Sequence, residues 1–442
     1  MTAGGPADPD TPLLAAVLAA ARDSGRRLQT PTHQGQPSWA SSWPDWARAD
    51  VTENEATDDL GHPQGPVLLA RRALARHYEA RASWFSVGGA TLAQQAALWA
   101  TAAWLRSEGR PPALLVDRNA HVSVLRGMAA AGLEPYWFEG EWDAPWGVRR
   151  PPSSEDLARA LARHPDVSAV HVTSPTYFGE DAGLSVMRKV GGDRLLLVDE
   201  AHGAHRPAAL KAGADLVVHS AHKGLSGPTQ GGFLHLGKAA PISEKLVDRS
   251  VRQLQTTSPS WPLLAALDAC RAAAASGPQV PPLEHAAWHV PVRDTLDPVR
   301  LLVAFPSGIE AYESLRREGF WPEAALPRAV LLLLGPTWFE PEVRSALQTV
   351  LEAELRRQTG WPAARSPAPP PLGERVLGLR EASLAVGFTV ASDLAVGRTA
   401  LEPVCPYPPG VAVIVPGCRV TREALEFLQA HDALPETLEV LP

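Results

Sequence analysis

The sequence is poor in several things whose absence narrows what it encodes. It has three cysteines in 442 residues, Cys270, Cys405 and Cys418, widely separated and in no metal-binding motif, a usage that points to a reducing compartment. No apolar run approaches the roughly 18 residues that a membrane span requires. The longest, such as Ala329–Leu334, are short. The opening MTAGGPADPD has neither a basic n-region nor an apolar h-region, so no secretory signal is expected. The formal net charge of −7, with a pI near 6.1, lacks the basic excess of a nucleic-acid binder. A soluble, cytoplasmic protein with neither nucleic-acid nor membrane partners is the expectation.

What is present describes an ordinary globular chain. Apolar residues make up 45% and charged residues 20%, enough to bury a large core in two domains behind an N-terminal extension. The expected division is 1–60 as an N-terminal helix and irregular arm, 61–280 as the large domain, and 281–442 as a small C-terminal α/β domain. Thr11-Pro12 reads as an N-cap with proline at N1, opening a helix to about Arg22. The tryptophan-bearing stretch 30–46 reads as irregular. Val67–Tyr78 is periodic and helical, Trp84–Val87 is strand-like, and a helix runs from about Thr91 to Leu105.

Strand and helix signals then alternate through Ala113–Val116, a helix near His121, Pro135–Phe138, a helix from Ser154, and Ala169–Thr173. Leu195–Val198, Leu216–His219 and Gly231–Leu236 complete the series. Alternation at this spacing predicts a mostly parallel, doubly wound α/β sheet. Helices at Ile242–Gln253 and Pro262–Ala275 leave it, and the turn-rich segment 276–285 reads as a boundary. Beyond it, strands at Val299–Ala304, Ala329–Leu334 and Val411–Val415 and helices at Ile309–Glu318, Glu342–Leu355 and Thr421–Leu428 are expected. Residues 361–373 form a proline-rich loop.

The stretch that organises the rest runs from Leu195 to Lys223. Two leucine- and valine-rich runs each end in polar residues, as buried parallel strands do. Functional groups gather beyond the carboxyl ends of such strands. The first run delivers Asp199 there; the second delivers Ser220, His222 and Lys223. A lysine and a carboxylate on neighbouring strand tips suit pyridoxal phosphate. The lysine holds the aldehyde as an imine, and the carboxylate keeps the ring nitrogen protonated so that the ring acts as an electron sink. Upstream, a strand, Gly88-Gly89 and a helix N-terminus form a natural phosphate cradle of outward backbone N–H groups.

Four other patterns read differently. Asp199-Glu200-Ala201-His202 spells a helicase motif. Residues 232–238 nearly spell a phosphate-binding P-loop, but Ala239 lacks the hydroxyl that would bind magnesium. His202, His205, His219 and His222 form a paired H-x-x-H pattern, yet structural zinc usually takes several thiolates, and no metal site is expected. Ser174-Pro175-Thr176-Tyr177 reads as a loop at the mouth of the pocket.

Taken in order, RNAH (118–121), SPTYFG (174–179), VDEAHGAH (198–205), SAHK with TQ (220–223, 229–230) and TSPS (257–260) resemble the Orn/Lys/Arg decarboxylases. So do DP (297–298), GR (397–398) and PYPPGVAVIVPG (406–417). These are fold-type I pyridoxal-phosphate enzymes of the aspartate aminotransferase superfamily. The resemblance spans about Thr32 to Leu428 and is closest to the shorter members, which lack an N-terminal receiver-like domain. It implies that Lys223 forms the internal imine and Asp199 pairs with the pyridine nitrogen. It places His121 on one ring face and Ala201 on the other, with His202 as a partner for the ring hydroxyl. Ser220, His222 and the turn Gly89, Ala90 and Thr91 hold the phosphate. It further implies a homodimer or higher homo-oligomer in which Thr257 and Ser258 reach the neighbouring subunit's site.

The expected reaction is decarboxylation of a basic amino acid, arginine, lysine or ornithine, through an external imine, releasing CO2 and a polyamine-type amine. The sequence departs from the family pattern at the phosphate turn, where Ala90 and Leu92 replace hydroxyl residues. It departs also at Val122, Ala221 and Cys418, the last standing where the family has glutamate. Transamination or another reaction at Cα uses the same lysine–aspartate pair, and a degenerate binding homologue is the third reading.

Overall fold

A computed structural model describes residues 10–23, 29–36, 42–275, 292, 293, 297, 299–335, 340–360, 366–407 and 409–442. The chain is mixed α/β, built on a large, mostly parallel sheet with smaller antiparallel sheets toward the C-terminus. This is the expected class. By compactness it divides into two units, Met1–Trp104 with Leu197–Gln279, and Leu105–Leu196 with Val280–Pro442.

In chain order the helices up to the reactive segment are α1 (Pro12–Arg22), α2 (Pro44–Ala49), α3 (Pro66–His77), α4 (Gly89–Ser107), α5 (Val122–Ala131), α6 (Ser154–Arg163), α7 (Leu184–Gly191) and α8 (Ala221–Gly224). The strands are β1 (Ala82–Ser86), β2 (Ala113–Asp117), β3 (Glu134–Phe138), a hairpin of β4 (Trp142–Asp143) and β5 (Val148–Arg149), β6 (Ala169–Thr173), β7 (Leu195–Asp199), β8 (Leu216–Ser220) and β9 (Gly232–Leu236).

In the first unit the strand order is β1-β9-β8-β7. β7 and β8 are parallel, whereas β9 is antiparallel to both β8 and β1. So β1, β8 and β7 share one direction and β9 alone is reversed. Every residue of these four strands is buried, as the continuous apolar runs predict. Their core includes Phe85, Phe233, Leu74, Val67 and Leu13, joined by Trp261 and Leu264 of α10 (Trp261–Ala275), which follows α9 (Glu244–Leu254). Each such side chain contributes roughly 1.5–3 kcal/mol of burial free energy.

The N-terminal arm is docked by a buried charge. Asp268 of α10, fully buried, accepts from the N–H of Leu13 at 3.0 Å and pairs with Arg271 at 2.8 Å. A carboxylate at the N-terminus of α1 satisfies an orphan donor and favours the helix dipole.

In the second unit the order is β6-β2-β3, with both pairings parallel. Its C-terminal part carries an antiparallel sheet of β10 (Arg300–Ala304), β11 (Ala324–Leu326) and β12 (Ala329–Leu333), with α11 (Gly308–Arg317) and α12 (Pro341–Arg357) beside it. After α13 (Leu379–Leu384) come β13 (Phe388–Ala391), β14 (Thr399–Ala400), α14 (Arg422–Ala430) and β15 (Thr437–Leu441), the strands in the order β13-β15-β14.

Several expectations are corrected. The tryptophan-bearing stretch is not wholly irregular, since Pro44 seeds α2. Val411–Val415 is not a strand; Val411 and Ile414 make only isolated bridges, to His121 and Val404, between the left-handed glycines Gly410 and Gly417. α4 starts two residues earlier than expected, at Gly89. Residues 276–285, 361–365, Pro298 and Pro408, parts of the expected boundary, loop and motifs, lie outside the described residues.

Candidate active site

The site is assembled by register. In the first unit Ser86 at the end of β1 pairs with Gly232, and Gly232 pairs with Ser220 at the end of β8. Three strands therefore stop at one level. Asp199, the last residue of β7, pairs with Val218, two residues or about 6.6 Å below Ser220 along β8. The carboxylate and the lysine-bearing segment thus leave adjoining strand tips on the same edge.

From β8 the chain turns directly into α8. Ser220 Oγ lies 3.2 Å from Nδ1 of His222, and Lys223 Nζ lies 3.3 Å from Nε2 of His202. Lys223 and His202 are half-buried and His222 is exposed. Asp199 is buried, and its Oδ1 accepts from the N–H of Ala201 at 3.1 Å, which fixes its first rotatable bonds. Gly224 allows the turn after β7 to come close: a side chain there would meet Nδ1 of His205 at 2.4 Å.

The opposite wall is the N-terminus of α4. Gly89 takes φ +72°, and Ser86 Oγ donates to its carbonyl at 2.8 Å, holding the turn. A Cβ on Gly232 would lie 2.6 Å from the N of Ala90. Only glycine lets β9 run beneath this helix start. The first N–H groups of a helix have no intrahelical partner, so Gly89, Ala90 and Thr91 offer donors and the positive end of a dipole.

Residues Lys223, His202, Asp199, Ala201, Ser220, His222 and the Gly89–Thr91 turn are therefore together in one unit. Thr257 and Ser258 are exposed; Thr257 lines a separate cavity of about 380 Å³ with Glu53, Asp59, His62 and Arg71. His121 belongs to the second unit. There it caps α5, its Nδ1 accepting from the N–H of Ser123 at 3.2 Å, and it is held by the 410–411 backbone. Nearby in that unit Asp117 is wholly buried. Burial raises its carboxyl to about 7, against the lowering effect of N–H donors from Asn119 and Thr173.

Two residues of the site were missed as such. Glu200 and His219, read above only as parts of a helicase motif and a zinc pattern, are buried and bonded to each other at 2.7 Å. Among the described residues no group of three or more His, Cys, Asp or Glu is placed to hold a metal ion.

The fold is that of solved lysine decarboxylases. Lysine decarboxylase A from Pseudomonas aeruginosa aligns with TM-score 0.77 and 19% identity over 99% of this chain and 81% of that one. The Escherichia coli constitutive lysine decarboxylase gives TM-score 0.73 and 17% identity over 98% and 82%. A model of the Orn/Lys/Arg decarboxylase major domain matches residues 11–281, and one of the C-terminal domain matches residues 388–438. The chain belongs to the Orn/Lys/Arg decarboxylase family. Curated relatives include an uncharacterized Bacillus subtilis protein, YaaO, 29% identical over 95% of this chain and 94% of that one. Another is an arginine decarboxylase from Halalkalibacterium halodurans, 28% identical over 96% and 93%.

Proposed function

We propose that this protein is a pyridoxal-phosphate-dependent decarboxylase of a basic amino acid, arginine, lysine or ornithine. The observation that carries the reading is the arrival of Lys223 and Asp199 from adjoining strand tips, opposite a helix N-terminus that glycines keep open. The donor set fits the group. A cradle that a Cβ at position 232 would fill offers backbone N–H groups for a phosphate, and the Ser220 hydroxyl lies at the same sheet level.

When bound, pyridoxal phosphate supplies an aldehyde for the substrate amine and a protonated ring that accepts the electron pair left by departing CO2. Lys223 would hold the aldehyde end. Asp199, oriented by the N–H of Ala201, would keep a proton at the ring nitrogen. His202, beside Nζ, would move or share a proton there. Ser220, His222 and the turn at Gly89, Ala90 and Thr91 would bind the phosphate, and Ala201 would lie against the ring. His121 takes its assignment to the ring from the family pattern.

The proposed division is 1–60, 61–280 and 281–442; the end of the major-domain match at residue 281 supports the second boundary, whereas that match begins at residue 11 and runs across the first. A cytoplasmic homodimer with Thr257 and Ser258 near the neighbouring site completes the proposal. Among the described residues no helix is long and apolar enough to cross a membrane.

The test uses the purified protein reconstituted with pyridoxal phosphate. A band near the visible–ultraviolet boundary, lost in Lys223→Ala, is expected. Incubation with arginine, lysine and ornithine, following CO2 and keto acid separately, is expected to yield CO2 from one of them. Keto acid without CO2 makes the reaction transamination; a colourless protein that cannot be reconstituted makes it a degenerate homologue.

A further inference from the structure

Beneath the strand tips lies a polar cluster that the reaction itself does not use. Glu200 follows Asp199, and His219 precedes Ser220. Because side chains alternate along a strand, His219 points away from the side that Ser220 faces. It meets Glu200, directly across the parallel ladder: Nε2 of His219 lies 2.7 Å from Oε2, with the two side chains 0% and 2% exposed. The other carboxylate oxygen of Glu200 accepts from the N–H groups of Ala208 and Ala209 at 2.8 and 3.0 Å.

The backbone of Glu200 is tied in as well. Its N–H donates to Val218, and its carbonyl accepts from Gly203. Glu200 thus joins the tip of β7, the tip of β8 and the turn 201–209 that carries Ala201 and His202. The imidazole is fixed in turn by Tyr78 and His235, whose rings lie 4.6 and 4.7 Å from it. The Tyr78 hydroxyl donates to Ala204 at 3.1 Å, holding the same turn a second time.

A buried ionisable pair is a poor source of net stability compared with apolar side chains of similar volume. What this pair supplies is alignment. We infer that Glu200 and His219 are positioning residues that set Asp199, His202 and the Lys223 segment at the spacing one cofactor ring requires. The inference rests on the pyridoxal-phosphate reading.

The experiment titrates purified His219→Leu, His219→Gln and wild-type apoprotein with pyridoxal phosphate, reading affinity and the position of the bound absorption band. Thermal melting of each apoprotein is recorded beside it. His219→Leu leaves the Glu200 carboxylate short of a donor; affinity is expected to fall about 10- to 100-fold, with a displaced band. His219→Gln restores an N–H donor and is expected to bind within about threefold of wild type, with the native band. A purely structural role would lower melting in both variants and leave the band in place. Equal affinity and spectrum in His219→Leu and wild type overturn the inference. Should His219→Leu not fold, Glu200→Gln serves, expected to bind at least about threefold more weakly, and unchanged binding overturns the inference equally. A wild-type protein that binds no pyridoxal phosphate overturns the parent reading instead.

Discussion

Lys223 and His202 meet at 3.3 Å, nitrogen to nitrogen, one from the helical turn after β8 and the other from the turn after β7. An ammonium at Lys223 can donate to the Nε2 lone pair of a neutral His202. His202→Leu removes this partner without touching the phosphate cradle. Stopped-flow decarboxylation is expected to show kcat lowered about 10- to 100-fold, with the bound cofactor band retained.

The crossing of β9 under α4 gives a paired test. Gly232→Ala drives a methyl group to within 2.6 Å of Ala90 N. We expect a loss of roughly 1–3 kcal/mol in chemical denaturation, with weaker cofactor binding. Ala90→Ser returns a hydroxyl to the same turn and is expected to tighten pyridoxal-phosphate binding about three- to tenfold in a fluorescence titration.

Asp117 makes a signed prediction for pH. Burial raises its folded carboxyl to about 7, whereas the unfolded group titrates near 4. The folded protein therefore keeps a proton that the unfolded chain gives up. The stability linked to that proton is full below about pH 4 and is lost as pH rises through about 7. Wild-type stability relative to Asp117→Asn should fall across that window and level off above it, as read by denaturant titrations at several pH values.

Burial raises all three thiols, Cys270 and Cys405 to about 11 and Cys418 above its ordinary value. At pH 8 they are protonated and slow nucleophiles. Ellman's reagent should label the native protein slowly and the denatured protein rapidly, at three sites.

Much of this was legible in the sequence because a buried sheet leaves a strong signature. The runs at Leu195 and Leu216 are rich in leucine and valine and buried at every position, and each ends at a polar residue, Asp199 or Ser220, at the strand tip. The pair Glu200 and His219 was illegible because its meaning depends on register: a glutamate and a histidine 19 residues apart say nothing until β7 and β8 are aligned. α7 was missed because eight residues bounded by Gly183 and Gly192 are too few to show a period. β13 was missed because its four residues are largely exposed, and β14 because two residues carry no pattern; in β15 the inward alternation of Leu438 and Val440 was there to be read.

The reversal of β9 has a bearing on how such a site diversifies. Since β8 and β9 are antiparallel partners closed at Ser220 and Gly232, the lysine rides on a hairpin rather than on a crossover between parallel strands. A hairpin loop tolerates insertion, deletion and resequencing without rethreading the sheet. Segment 221–231 is therefore the place where the bearing of the reactive amine can be retuned while the seven-residue span from Asp199 to His205, pinned at Glu200, stays put.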